Sequence, residues 1–294
     1  MIYNLGSINA DHVYRLAHLP APGETLAAQT YAVGLGGKGA NQSVAIARAG
    51  GSVRHIGAIG PDGRWMADRL AAAGVDCSAV ADADAASGHA IINVDDAGEN
   101  AIVIYPGANR ALGADHVRQA LAQAGAGDTL ILQNETACQV EAARFAQEQG
   151  LFVVYSAAPF EAEAVRAVLP YLSLLIVNEV EAAQLCSEMN GTLADLPVEN
   201  VLVTLGAKGA AWYDTARGLD IRVAGFPVKA VDTTGAGDTY AGYLVAALAE
   251  GLAVKEAMRL AGAAAAIKVT RPGTADVIPT RVEVDDFLAS QPSE

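Results

Sequence analysis

Short, continuous apolar runs alternate along this chain with longer segments in which apolar residues, mostly alanine, return every three or four positions. The runs Ile2–Leu5, Val53–Ala58, Thr129–Gln133, Phe152–Tyr155, Leu174–Val177 and Val201–Thr204 have the length of buried strands. The segments Ala40–Ala49, Arg64–Ala73, Ala114–Ala124, Ala137–Gln149, Glu161–Leu169, Glu179–Glu188, Thr239–Ala249 and Val254–Lys268 carry the helical period. Strand then helix, repeated, predicts an α/β fold: a doubly wound, mostly parallel sheet covered on both faces. Ligands of such sheets bind beyond the carboxyl ends of the strands.

Two stretches break the alternation. Residues 11–34 and 87–107 read as strands and turns without helices, and the second holds a hairpin: Gly88–Val94, the turn Asp95-Asp96-Ala97-Gly98, then Ala101–Tyr105. Two β insertions in an α/β core predict a small accessory sheet placed over the active site as a lid, where it would exclude water. Surface hairpins without function are the plainer alternative. The tail Ser290–Glu294 is expected to fray.

Composition narrows the partners. Of 294 residues, 52% are hydrophobic, ample for a large core, while the formal net charge is -14. That surface repels nucleic acid and anionic lipid, so neither is an expected partner. A phosphate-bearing ligand must then meet a local positive site, which backbone N–H groups and helix N-termini can supply. Cys77, Cys138 and Cys186 have neither metal-ligand nor redox spacing. The N-terminus lacks a basic region followed by a long apolar stretch, and Ala261–Ile267 is too short to span a bilayer. The expectation is a soluble, cytoplasmic protein.

Five segments can carry chemistry. Thr233-Thr234-Gly235-Ala236-Gly237-Asp238 precedes a helical pattern. Its glycines and the helix N-terminus can form an anion hole, with Asp238 beside it to accept a proton. An aspartate N-cap after a glycine turn fits the same residues. In Gly34-Leu35-Gly36-Gly37-Lys38-Gly39-Ala40-Asn41, three glycines match G-x-G-x-x-G, yet the first strand lies about thirty residues earlier than that fingerprint requires. A Walker A reading fails, with Ala32 and Gly39 at positions that need Gly and Ser or Thr. A glycine loop that lets a substrate hydroxyl approach the backbone, with Asn41 as a polar clamp, is the third reading. Asn9 and Asp11, two apart on an extended segment, point to one side, and an amide with a carboxylate suits adjacent sugar hydroxyls; a turn or capping role is the alternative. Asn178-Glu179-Val180-Glu181 opens a helix, as dipole partners or as holders of hydrated Mg²⁺. Thr204-Leu205-Gly206-Ala207-Lys208-Gly209 is either a phosphate cradle or a hairpin turn.

Taken together, Ser7–Asp11, Pro22-Gly23-Glu24-Thr25, Gly36–Asn41, Gln133-Asn134-Glu135, Asn178–Glu181, Thr204–Gly209, Asp232–Asp238 and Ala263–Gly273 occur in an order that resembles the ribokinase-like carbohydrate kinases, the PfkB family. The resemblance covers nearly the whole chain. It implies one ribokinase-like domain over residues 1–294, with the lid formed by the insertions at 11–34 and 87–107 and commonly used for homodimerisation. Asn9, Asp11, Gly37, Lys38, Asn41 and Glu135 match sugar contacts. Asn178, Thr204, Gly206, Gly209 and Gly237 match nucleotide contacts, and Glu181 the acidic residue linked to Mg²⁺ through water. Gly235, Ala236 and Gly237 would form the anion hole, and Asp238 would be the base. Asp232, Thr234, Lys268, Arg271, Gly273 and Val277 match a monovalent-cation site, K⁺ by implication, mostly through backbone carbonyls.

The implied activity is transfer of the ATP γ-phosphoryl group to a sugar primary hydroxyl, D-ribose giving ribose 5-phosphate. The alternatives are another sugar, a nucleoside such as pseudouridine, or a sugar- or nucleotide-sensing protein on the same fold. Ala90 and Ile92 offer no aromatic surface to stack a base, which disfavours nucleosides. Two departures stand out. Gly262 replaces a side chain that the family often places against adenine, and Met189–Asn200 lacks a helix between Glu179–Glu188 and Val201–Thr204.

Overall fold

The computed structural model describes residues 1–291, so the part of the expected fraying that falls on 292–294 lies outside the described residues. The chain opens with β1 (Ile2–Leu5), then the antiparallel pair β2 (Asn9–Arg15) and β3 (Thr30–Gly36), and enters α1 (Lys38–Arg48). Next come β4 (Val53–Ile59), α2 (Arg64–Ala72), β5 (Asp76–Asp82) and the hairpin β6 (Gly88–Val94) and β7 (Asn100–Tyr105). Four more units follow: α3 (Ala114–Ala120) and β8 (Thr129–Gln133), α4 (Gln139–Glu148) and β9 (Phe152–Ser156), α5 (Ala162–Val168) and β10 (Leu174–Asn178), α6 (Glu179–Met189) and β11 (Asn200–Thr204). A second hairpin, β12 (Ala210–Asp214) and β13 (Leu219–Val223), precedes α7 (Ala236–Glu250), α8 (Val254–Val269) and α9 (Arg281–Ala289).

Nine strands form the main sheet in the order β13-β12-β11-β10-β9-β8-β1-β4-β5, parallel from β11 to β5 and antiparallel at β12 and β13. Strand β1 lies between β4 and β8, so the winding reverses there. The crevice at this reversal is where a doubly wound sheet binds its ligand, and the chain leaves β1 directly into Ser7–Asp11. Alternation along β8 shows the two cores: Ile131 packs under α1, α2, α7, α8 and α9, while Leu130 and Leu132 pack under α3 to α6. Each such fully buried aliphatic side chain contributes about 1.5–3 kcal/mol.

The two stretches without helices form a separate four-stranded sheet, β3-β2-β6-β7, in which β2 and β6 are parallel. Its strands extend beyond the expected limits, from Asn9 to Gly36. Between α6 and β11 lies only a 3-10 turn, Leu193–Asp195, capped by Thr192. Helices α1 and α7 cross closely because α7 carries Gly242. A Cβ there would lie 2.5 Å from Ala45 Cβ and 2.7 Å from the Gln42 carbonyl oxygen. Gly242 stands four residues after Asp238, on the same face of α7. The packing that brings the helices together thus also sets Asp238 against α1.

Candidate active site

Helix α7 starts from Gly235, whose φ of 73° puts the N-cap in the left-handed region that glycine tolerates. Asp238 is therefore the third helical residue and not an N-cap, which removes the aspartate-cap alternative. The Ala236 N–H turns back to the Thr233 carbonyl at 3.1 Å. The Gly237 and Asp238 N–H groups belong to the first turn and have no intrahelical acceptor. These donors and the positive end of the helix dipole make an anion-binding mouth.

Asp238 is buried at 8% exposure, yet its partners come from α1. Asn41 Nδ2 donates to Oδ2 at 2.9 Å and Gln42 Nε2 to Oδ1 at 3.1 Å. Behind Gln42 runs a buried polar chain. Gln133 Nε2 donates to Gln42 Oε1 at 2.8 Å and to Asn4 Oδ1 at 2.9 Å. Asn4 Nδ2 donates to the Gly39 carbonyl and to Ser43 Oγ, both at 2.8 Å. His55 closes the chain, with Nδ1 2.8 Å from Ser43 Oγ and Nε2 3.0 Å from the Gly6 carbonyl. That carbonyl can only accept, so Nε2 carries the proton and Nδ1 accepts from Ser43. Burial brings the His55 pKa down to about 4, the Gly6 bond opposing, so the ring is neutral at pH 7. Each amide is thereby oriented, and the chain ends with a donor aimed at Asp238. Sequence reasoning missed Asn4, Gln42, Ser43 and His55. Its signal was Asn41-Gln42-Ser43, polar residues inside an otherwise apolar helix.

Facing Asp238 are the residues that leave β1. Asn9 Oδ1 accepts from Asn109 Nδ2 at 2.7 Å, which turns the Asn9 amide so that its own N–H groups are free to donate. Asp11 lies against Gly36, and a Cβ on Gly36 would fall on the Asp11 carboxylate. Glu135 Oε2 accepts from Ser7 Oγ and from the Lys38 backbone N–H at 3.1 Å. Burial, with the Glu135 and Asp238 charges adding, pushes the Asp11 pKa up to about 7 against the pull of Lys38. The Lys38 pKa is raised chiefly by Asp238, with Glu135, Glu181 and Asp11 adding and burial opposing. The charges of Asp11, Glu135 and Asp238 thus all act on one ammonium, and the carboxylates make an acceptor-rich pocket suited to a ligand with many hydroxyl donors.

The nucleotide-side candidates stand at the carboxyl ends of β10 and β11. Asn178 caps α6: its Oδ1 accepts from the Glu181 N–H at 2.9 Å, and Glu181 Oε2 accepts from the Asn178 N–H at 2.8 Å. Burial raises the Glu181 pKa, while the Asn178 bond and Lys38 lower it, which places Glu181 within electrostatic reach of the pocket. Thr204 ends β11, and Gly206–Lys208 forms a 3-10 turn closed by the Leu205 N–H to the Gly209 carbonyl at 2.8 Å. This turn joins antiparallel β11 and β12, so a hairpin turn is present at the phosphate-cradle candidate. Lys208 Nζ reaches Glu179 at 3.4 Å across the surface between the two segments.

The candidate cation residues also converge. Asp232 Oδ1 accepts from the Thr234 N–H and Oδ2 from the Gly273 N–H, both at 2.9 Å. Burial would raise the Asp232 pKa, but these donors and Lys268 outweigh it and lower it. The Lys268 carbonyl accepts from the Arg271 N–H at 3.0 Å. The Val277 carbonyl accepts from Arg271 Nη1 at 3.4 Å, and the Asp232 carbonyl from Lys268 Nζ at 3.0 Å. Two protein cations therefore already engage carbonyls of this set, a poor fit for a further cation.

The aromatic residues of the small sheet lie away from Asp11. Register puts Asn9, Asp11, Val13, Ala90, Ile92, Ile102 and Ile104 on one face. On the other face His12 stacks on Tyr31, Tyr14 packs on Tyr31, and His89 on Tyr105. At the remaining departure, Gly262 has Phe226 and Tyr240 beside it, at 3.6 Å and 3.9 Å from where its Cβ would stand.

Residues 1–281 match the profile described as pfkB family carbohydrate kinase. A ribokinase from Haemophilus influenzae is 40% identical over 299 residues, covering 97% of each chain. Among solved structures, a ribokinase from Thermotoga maritima is similar with a TM-score of 0.88 and 33% identity, covering 99% of each chain. An Arabidopsis thaliana ribokinase complexed with ribose and ATP is similar with a TM-score of 0.84 and 28% identity, again covering 99% of each chain.

Proposed function

The chain belongs to the pfkB family of carbohydrate kinases, ATP-dependent sugar phosphotransferases, and on that premise we propose that it transfers the γ-phosphoryl group of ATP to the primary hydroxyl of D-ribose, giving ribose 5-phosphate. The observation that carries the reading is the Asp238 carboxylate, held by the Asn41 and Gln42 amides at the N-terminus of α7. Each carboxylate oxygen keeps a lone pair for the attacking hydroxyl. The hydroxyl oxygen forms a bond to the γ-phosphorus as the bond to the β–γ bridging oxygen breaks. Its proton passes to Asp238, and ADP leaves. Of the expected anion-hole residues Gly235, Ala236 and Gly237, the Ala236 N–H is turned back to Thr233, so the N–H groups of Gly235 and Gly237, with that of Asp238 and the α7 dipole, would meet the charge spread over the transferring group.

Asn9 as donor and Asp11 as acceptor would hold adjacent sugar hydroxyls, with Glu135, Gly37, Lys38 and Asn41 completing the pocket. Asn178, Thr204, Gly206 and Gly209 would receive the nucleotide. A Mg²⁺ ion would supply charge neutralisation at the phosphates, and Glu181 fits it through water, since only one of its oxygens is given to the Asn178 N–H. A monovalent cation fits the Asp232–Val277 set poorly, and no step is assigned to one. The position of the aromatic residues, behind the lid sheet, supports a free sugar over a nucleoside. No helix of the described residues is long and apolar enough to cross a membrane, and we place the enzyme in the cytoplasm.

The test is ADP release across pentoses, 2-deoxypentoses, hexoses and nucleosides. Ribose should give the highest kcat/KM. Turnover of nucleosides but not ribose would overturn the acceptor, and no turnover on any acceptor would favour a sensor. Asp238→Asn should lower kcat by about 10²–10⁴-fold, the usual loss for a general base, with the KM for ATP little changed. Near-normal turnover would remove Asp238 from its role.

A further inference from the structure

Lys268 is out of place by ordinary rules. It lies in the last turn of α8, after the buried residues Ala264, Ala266 and Ile267, and is 0% exposed. Lysine is almost never fully buried unless its charge is met. Here Nζ donates to the Asp232 carbonyl at 3.0 Å. Burial lowers its pKa, while the charges of Asp232 and Asp238 pull the other way.

The surroundings say what such a charge can do. The N–H groups of Val231 and Asp232 both bond to the Val269 carbonyl, at 2.7 Å and 3.1 Å, and the Asp232 carboxylate ties Thr234 to Gly273. The end of α8 is thereby fastened beneath the loop that leads into Gly235. Lys268 places a fixed positive charge under that loop, close to where an incoming phosphoryl group would bring negative charge. It also occupies the Asp232 carbonyl, one of the positions that the family resemblance assigns to a dissolved cation. A second cation beside it would meet like-charge repulsion.

We propose that the Lys268 ammonium is the built-in monovalent cation of this site: it holds the Asp232–Gly235 loop and its positive potential in place, so turnover needs no potassium. Lys268 acts through the loop and is a positioning residue. The proposal rests on the reading of Gly235–Asp238 as the phosphoryl-binding mouth.

The experiment compares the wild type, Lys268→Ala and Lys268→Met in potassium, sodium and tetramethylammonium chloride at one ionic strength, reading kcat and the melting temperature. Wild-type kcat should agree within about twofold in all three salts, and its melting temperature should not follow potassium, as expected when nothing binds. In tetramethylammonium, Lys268→Ala should be slower by about tenfold to a hundredfold, on the scale of losing an electrostatic group near a transferring charge. Potassium or methylammonium should restore most of that loss and raise the melting temperature of Lys268→Ala. Lys268→Met, which fills the space, should stay slow. Potassium activation of the wild type by severalfold, or a Lys268→Ala enzyme as fast as the wild type, would overturn the proposal. If Lys268→Ala does not fold, the wild-type salt series decides alone. If the wild type phosphorylates no acceptor, the phosphoryl-transfer reading fails, and the melting series still tests the cation claim.

Discussion

At the scale of single residues, Asp11 shows what the pocket demands. Its folded pKa of about 7 lies well above its ordinary 3.8, first because it is buried and then because Glu135 and Asp238 face it. The sign follows from linkage. The folded state prefers the protonated acid, so ionisation costs stability progressively as pH rises from about 4 to about 7, and the cost stays above that. A sugar hydroxyl needs the ionised acceptor, so ligand binding and folding pull in opposite directions. Asp11→Asn should therefore melt higher than the wild type at pH 8, with the gap closing as pH falls toward 4. The same variant should raise the KM for sugar by about tenfold to a hundredfold, the loss of a hydrogen bond to a charged group. In the wild type the KM for sugar should rise as pH drops below about 7. Melting curves and sugar titrations across pH 4–8 check this, and a gap that widens on acidification would contradict it.

At the scale of elements, the β2–β3 pair explains part of the glycine run. Asn9 pairs with Gly36 and Asp11 with Gly34, and the Asp11 carboxylate rests where a Cβ of Gly36 would be. Gly36→Ala should thus raise the KM for sugar at least tenfold, about 1.4 kcal/mol or more, and leave the KM for ATP nearly unchanged. Gly34→Ala has open space and should match the wild type in both, so equal effects of the two would refute the steric account. The spacing of Asn9 and Asp11 was readable because strand geometry alone puts alternate residues on one side. The six continuous apolar runs were readable for the same kind of reason, and each became a strand of the main sheet. What escaped were elements whose signal is short or mixed. Strand β5, Asp-Cys-Ser-Ala-Val-Ala-Asp, and the edge strand β13, Leu-Asp-Ile-Arg-Val, are only partly buried and mix polar with apolar residues, while β12 carries a mostly buried apolar run of just four residues, Ala210–Tyr213. Helix α9 did carry a signal, the capping box Thr280 to Glu283. The chain from Gln42 to His55 showed only its polar run Asn41-Gln42-Ser43, and its partners escaped for another reason: its links join residues up to 129 apart, and Gln42 to Asp238 spans 196. Only the closed fold makes those neighbours.

At the scale of the molecule, the small sheet has two unlike faces and two edge strands, β3 and β7. The inner face carries Asn9 and Asp11 toward the pocket. The outer face presents Tyr31 at 53%, Tyr105 at 47% and Val103 at 67% exposure, and β7 is exposed along its whole length. A contiguous apolar face beside an unpaired edge strand is a liability for a lone monomer unless something covers it. The net charge of -14 disfavours self-association elsewhere on the surface. Among the described residues of β6 and β7, by contrast, Gly88–Val94 and Asn100–Tyr105 contain no Asp, Glu, Lys or Arg. We propose that a second copy of this chain covers this face, joined lid to lid, an occupant that the charge pattern favours. We expect the wild type to sediment as a dimer at micromolar concentration, and the double variant Tyr31→Glu, Val103→Glu as a monomer. The two substitutions put like charges into the interface on residues of the face opposite Asp11, so chemistry should survive in the monomer. Because the partner would brace the sheet that carries Asn9 and Asp11, the monomer should keep its KM for ATP and show a raised KM for sugar. A wild type that sediments as a monomer would remove the partner, and a monomeric variant with an unaltered KM for sugar would separate the lid's grip on its ligand from assembly.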